Sequence, residues 1–185
     1  MFFQVFSTFP LVLRDLYGMP TDHIGFAIAV NALIIVLFEM VTMHAMRGRA
    51  PLRVIRLGTL FACAAFVLLP WGVGIGVPWV LLVVVLITLG EMFYMPIAEG
   101  FAANSADPRS RGRYIGMYAL AYSLGFAVAP AIGTWVYDRH GAGALGGGCG
   151  VAGIVLWLGF TRLRRASSSL EVRNSQAASP PRRLP

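Results

Sequence analysis

The chain has no lysine, and arginine alone carries its basic charge, for a net +7. A P-loop needs a lysine to reach the terminal phosphates of a nucleotide, so that function is excluded. Charge of either sign is scarce, at 12% of 185 residues, where a soluble domain carries about 25%. With 57% hydrophobic residues and a mean hydropathy of +0.71, there is too little polar material to coat a globule. Composition points to lipid as the solvent.

Cysteine and histidine are few. Cys63 and Cys149 lie inside apolar runs and read as buried thiols without a disulfide. His23, His44 and His140 stand alone at segment ends, and none shares a helical face with a carboxylate at ligand spacing. No metal site and no cofactor are expected. No nucleophile is paired with a base, so the chain does not read as an enzyme. Its arginines form no basic face interleaved with aromatics, which sets nucleic acid aside as a partner. No positive region precedes the first apolar run, so no cleavable signal peptide is read.

Six apolar runs are present, over residues 2–13, 24–46, 57–73, 77–103, 114–137 and 142–163. Crossing a hydrocarbon core about 30 Å thick takes roughly 20 helical residues. The second, fourth, fifth and sixth runs meet that length, and the third reaches it by borrowing Gly74 to Gly76. The first spans only about 18 Å. It reads as the outer part of a truncated helix, from a mis-called start, a broken gene or a re-entrant stub, with a truncated frame favoured. Thirteen of the fifteen arginines fall in the connections around 47–56 and 109–113 or from Arg162 onward. By the positive-inside rule those connections and the C-terminus are cytoplasmic, as in a multi-pass protein of a bacterial inner membrane. Trp71, Trp79, Trp135 and Tyr137 then lie at the outer interface. Residues 166–185, rich in Ser and Pro, read as a disordered tail.

Polar groups within the runs are the candidate pathway. Glu91 lies well inside the hydrocarbon, where a carboxylate costs about 2.5 kcal/mol or more and so faces the bundle interior or a water-filled cavity. A carboxyl there that changes its protonation is what proton-coupled transport requires. Asn31 and Gln4 are placed to bond a substrate or another helix. Glu39 and Glu99 sit nearer the cytoplasmic edge, where pairing with loop arginines is expected. The third and sixth runs hold no ionisable residue in their cores and are expected to face lipid, leaving runs one, two, four and five to line any polar path. GCGVAG at 148–153 fits a dinucleotide fingerprint but has neither strand nor acid around it, and reads as close helix packing.

The fifth run contains GMYALAYSLGFAVAPAIG. Ala121, Gly125, Ala129 and Gly133 recur every four residues, a small-residue ladder that lets a neighbouring backbone approach closely. Tyr114, Tyr118, Tyr122 and Phe126 form an aromatic stripe beside it, and Pro130 is expected to kink the outer third. The run resembles the fifth-helix motif G-x8-G-x3-G-P-x2-G-G of the major facilitator superfamily at Gly116, Gly125, Ala129-Pro130 and Gly133-Thr134. In that family's loop motif after helix two, only Gly48 and Arg49 match; Ala45 and Met46 replace the Asp and Arg. Over about residues 2–165 the chain resembles the C-terminal six-helix half of a drug-antiporter-like member. The resemblance implies an all-α membrane protein, a six-helix transmembrane bundle forming half of a twelve-helix fold, whose third and sixth helices are peripheral. It implies secondary transport, with protons, an unknown small molecule, the bilayer and a missing N-terminal half or second copy as partners. A proton-coupled exporter half, a homodimerising half-transporter and a non-transporting scaffold or accessory subunit stay open.

Overall fold

The computed structural model describes residues 2–104, 107 and 109–177, with side chains as far as residue 162. Among these residues all regular structure is helical. A 3-10 turn, Phe2–Phe6, leads into α1 (Thr8–Asp15), followed by α2 (Thr21–Ala45) and α3 (Pro51–Leu68). The 3-10 turn Leu69–Gly72 extends α3, and α4 is Val77–Asn104. The last helical stretch, Arg111–Ala177, breaks at Gly141, whose φ of 78° and ψ of 177° lie in a region open essentially only to glycine. It is therefore two helices, α5 (111–140) and α6 (142–177).

The contacts give the direction of each helix. Along α6, Gly146 meets Phe66, Gly153 meets Cys63 and Trp157 meets Arg56, so α6 runs antiparallel to α3. Along α5, Gly125 meets Phe3, Gly133 meets Gln4 and Tyr137 reaches Asp15, so α5 runs parallel to the N-terminal segment. The chain reverses at Gly141. Length requires this too, because Arg111–Arg162 is 52 residues, about 78 Å of helix against a core of about 30 Å.

Helix ends are closed by side chains. Trp79 Nε1 donates to the Leu68 carbonyl at 3.0 Å and the Tyr17 hydroxyl to the Leu69 carbonyl at 2.5 Å, where α3 leaves its carbonyls unpaired. At the opposite end of the bundle, Arg111 donates to the Ala103 carbonyl and Asn104 Oδ1, a cation at the C-terminus of α4. Arg14 bonds Asp15 at 2.7 Å and holds its carboxyl below the usual carboxylate range.

The third segment, expected to face lipid, is covered over much of its surface instead, with Leu57 and Leu60 left open. Of the most apolar stretch of α3 and its extension, 56% is buried, against 17% for α2. The cause is close backbone packing. A Cβ on Gly58 would come within 2.8 Å of the Gly90 carbonyl oxygen, and one on Gly90 within 3.0 Å of the Ala62 nitrogen. On the other side of α3, Cβ atoms on Gly146 and Gly150 would fall 2.7 Å from the Phe66 carbonyl and 2.9 Å from Val67, and one on Gly153 would overlap Cys63 Sγ. Small residues on α4 and α6 thus enclose α3, and GCGVAG supplies part of that seam.

The N-terminal segment is short but central: Val5, Thr8, Phe9, Val12 and Leu13 are all buried. At the other end, the backbone stays helical to Ala177, so the unstructured tail expected from 166 does not begin there. No glycine or proline lies between Gly159 and Pro180 to interrupt the ladder. Residues 178–185 lie outside the described residues.

Gly58→Leu should destabilise the bundle by about 3 kcal/mol, at the upper end of ordinary overpacking. Gly100→Leu, where a side chain meets nothing within 4 Å, serves as control. Thermal unfolding in detergent measures both, and equal melting temperatures would refute the seam.

Candidate functional site

Glu91 lies on the side of α4 that meets α2. It is 6% exposed, Asn31 is 7% and Thr88 is fully buried. Asn31 Nδ2 donates to Glu91 Oε2 and to Thr88 Oγ1, both at 2.9 Å, and the Thr88 hydroxyl donates to the Val84 carbonyl at 2.7 Å. Thr88 and Glu91 are three residues apart and so share a helical face. One carboxamide between them ties two helices together. Among the described residues the ion pairs are Arg14–Asp15 and His23–Asp22, so no cation neutralises Glu91. Its partners are dipoles alone.

Gln4 has a different role. Its Nε2 donates to the Ala129 carbonyl at 2.6 Å, while its Oε1 accepts from Thr8 at 2.7 Å and Ser7 at 3.2 Å. A Cβ on Gly133 would overlap the Gln4 carboxamide, and one on Gly125 would come 3.1 Å from the Phe3 ring. The small-residue ladder of α5 therefore receives side chains from the N-terminal segment, where the sequence suggests a neighbouring backbone. The missing side chains at 125 and 133 make room for Phe3 and Gln4. Gly116 meets nothing within 4 Å, and helix continues through Pro130, where Thr134 Oγ1 donates to the Pro130 carbonyl.

Beside this contact lies an aromatic cleft of about 240 Å3. Phe2, Phe3, Tyr94, Tyr118, Ala121 and Tyr122 form most of its wall. Phe3 stands edge-on to Tyr122 at 4.9 Å and to Phe126 at 5.3 Å between ring centres, the arrangement that opposed ring quadrupoles favour. Thr59 of α3 and Leu156 of α6 complete the wall, so the third and sixth helices reach the cleft after all. A second opening of about 340 Å3 shares Met95, Tyr118 and Tyr122 and adds Glu99 and Ser123. Glu99 is exposed there, and among the described residues neither it nor Glu39 pairs with a loop arginine, against expectation. The arginines themselves bond helix ends and rings: Arg111 closes α4 and Arg56 stacks on Trp157 at 4.4 Å.

Gly48 and Arg49 lie in the turn between α2 and α3, where Gly48 has a φ of 80°. Thr88, Thr59, Tyr94 and Phe3 escape sequence reading, because threonine and aromatics are ordinary in apolar helices. The three-residue spacing of Thr88 and Glu91 is the one local signal.

The family model described as Major Facilitator Superfamily matches residues 1–184. The chain belongs to this superfamily. It is a multi-pass membrane protein with an all-α bundle, a partial version of the family's fold. It is 27% identical to the uncharacterized MFS-type transporter YqjV of Bacillus subtilis, over 76% of this chain and 34% of the relative. It is 28% identical to the multidrug resistance protein MdtH of Klebsiella pneumoniae, over 92% of this chain and 44% of the relative. For MdtH of Proteus mirabilis the identity is 28%, over 73% and 33% respectively. The matched regions thus span less than half the length of these curated relatives. No solved structure matches the chain significantly.

Asn31→Leu should cost about 1–3 kcal/mol of stability, because it leaves a buried acceptor unmatched. In a Glu91→Leu background the same change should cost much less. Unfolding of the four proteins in one detergent gives the coupling, and strictly additive costs would show that the pair does not interact.

Proposed function

We propose that the chain is the C-terminal half of a secondary active transporter that exports small molecules against a proton flow. The observation that carries this reading is Glu91: a buried carboxylate within a membrane span, held by a carboxamide and facing no cation. Intramembrane carboxylates without a structural ion pair mark proton and substrate paths. The aromatic cleft supports a small, largely apolar cargo, since its wall offers rings and few polar groups. The relatives named for multidrug resistance agree with export. Arginine placement supports a cytoplasmic C-terminus in a bacterial inner membrane.

Large parts of α2 and α5 are uncovered by this chain: Val36, Leu37, Phe38, Met40 and Val41 on one, Met117, Leu120 and Leu124 on the other. These faces suit lipid and a second bundle, and alternating access needs two bundles that rock about a shared site. Six further helices or a second copy of this chain would supply it. Molecular mass in detergent separates the two, a stable dimer favouring the second copy. The chain reconstituted as a monomer is expected to carry no proton-coupled flux.

Glu91→Gln in the completed two-bundle transporter should lower proton-driven flux at least tenfold and flatten its pH dependence, while Glu91→Asp retains part of both. Flux and pH profile unchanged by Glu91→Gln would favour the scaffold reading and remove the basis for proton coupling.

A further inference from the structure

The turn between α2 and α3 bounds a cleft of about 530 Å3, lined by Met46, Gly48, Arg49, Ala50, Arg53, Val54 and Leu57. Its two arginines are exposed, and their side chains make no hydrogen bond or ion pair among the described residues. From Met40 to Gly90 the sequence has no acidic residue, and of the two on α2 Asp22 lies at its far end, so only Glu39 is near enough to offset Arg47, Arg49, Arg53 and Arg56. Arg56 differs, being stacked on Trp157 of α6. Arg49 and Arg53 therefore stand as two free cations at one opening.

Below them the surface turns apolar. Leu57 and Leu60, four and seven residues after Arg53, continue its face of α3 and are uncovered, at 41% and 47% exposure. Cations at the membrane edge followed by open leucines towards the hydrocarbon match a molecule with an anionic head and an acyl tail. A free anion would use only the upper half of that surface.

We infer that this cleft binds the phosphate of an anionic phospholipid, with Arg49 and Arg53 on the headgroup and Leu57 and Leu60 against an acyl chain. Arginine suits the role because its planar guanidinium forks onto phosphate oxygens and stays charged at the membrane surface. Gly48 fixes the geometry: its positive φ turns the chain so that Arg49 and Arg53 open on the same cleft. This inference stands apart from the transport reading, since it requires no flux.

The full chain in a neutral detergent can be titrated with phosphatidylglycerol, phosphatidylcholine or glycerol phosphate and bound lipid counted by native mass spectrometry. Phosphatidylglycerol should be retained about tenfold better than phosphatidylcholine, given the attraction of each basic residue to anionic lipid. Arg49→Gln with Arg53→Gln should abolish that preference. Arg109→Gln with Arg113→Gln, an equal charge change at the start of α5 and the turn before it, should leave it intact, and Arg49→Lys with Arg53→Lys should keep most of it. Equal losses from both glutamine pairs would mean only general surface charge and overturn the site. Displacement of the lipid by equimolar glycerol phosphate would mean a free-anion site, and equal retention of phosphatidylcholine would mean no headgroup selection; either result overturns the inference.

Discussion

Helices in hydrocarbon gain little from burying apolar surface against each other, because lipid is as apolar as leucine, and so they depend on close fit. This bundle meets that constraint at α3. Gly58 and Gly90 bring α3 and α4 to backbone distance, Gly146 does the same for α6, and Gly150 and Gly153 make room for the Val67 and Cys63 side chains. With α3 enclosed from both sides, α4 has a fixed rotation about its axis. Glu91 then faces α2, where Asn31 meets it. The N-terminal segment docks separately, through Phe3 and Gln4 in the gaps left on α5.

Much of this architecture was legible in the sequence, for reasons of length. Apolar runs separated by Gly, Pro and Arg set the helices, and Gly141 supplies the last turn. What the residues did not disclose was which faces are covered. In a soluble protein an apolar stripe marks the core, but a membrane helix is apolar all round. The absence of charged groups beyond Arg56 therefore made α3 look peripheral, although it is the most buried of the long helices. The usable signal was the small-residue spacing Gly58–Ala62 on α3 and Gly146–Gly150 on α6, easily hidden among 21 glycines.

The candidate site divides in the same way. Glu91 and Asn31 stood out singly, because a polar group in hydrocarbon has a cost that demands a partner. Their pairing did not, since it joins positions 60 residues apart. Gln4 has the same chemistry as Asn31 but closes a helix contact instead. Residue type and depth alone cannot separate those outcomes. The partner decides: Gln4 meets a backbone carbonyl and two hydroxyls, while Asn31 meets a carboxylate.

The turn of α4 from Thr88 to Met95 concentrates these demands. Thr88 and Glu91 bond α2, Gly90 touches the α3 backbone, and Tyr94 and Met95 wall the aromatic cleft. Glu91 and Met95, like Gly90 and Tyr94, are four residues apart and share a face, so a side chain that shifts presses on its neighbour along the helix. Pro96 follows at once and removes the donor that would bond the Met92 carbonyl, which loosens the backbone ladder just beyond the turn. The best-fixed turn of the bundle thus adjoins a weak point in the same helix. A change in hydrogen bonding at Glu91 has little slack to absorb it locally towards α3, while the backbone about one turn further on is less firmly bonded. Carboxylate and cleft have different partners, yet Met95 of the cleft wall lies one turn beyond Glu91 on the same face of α4.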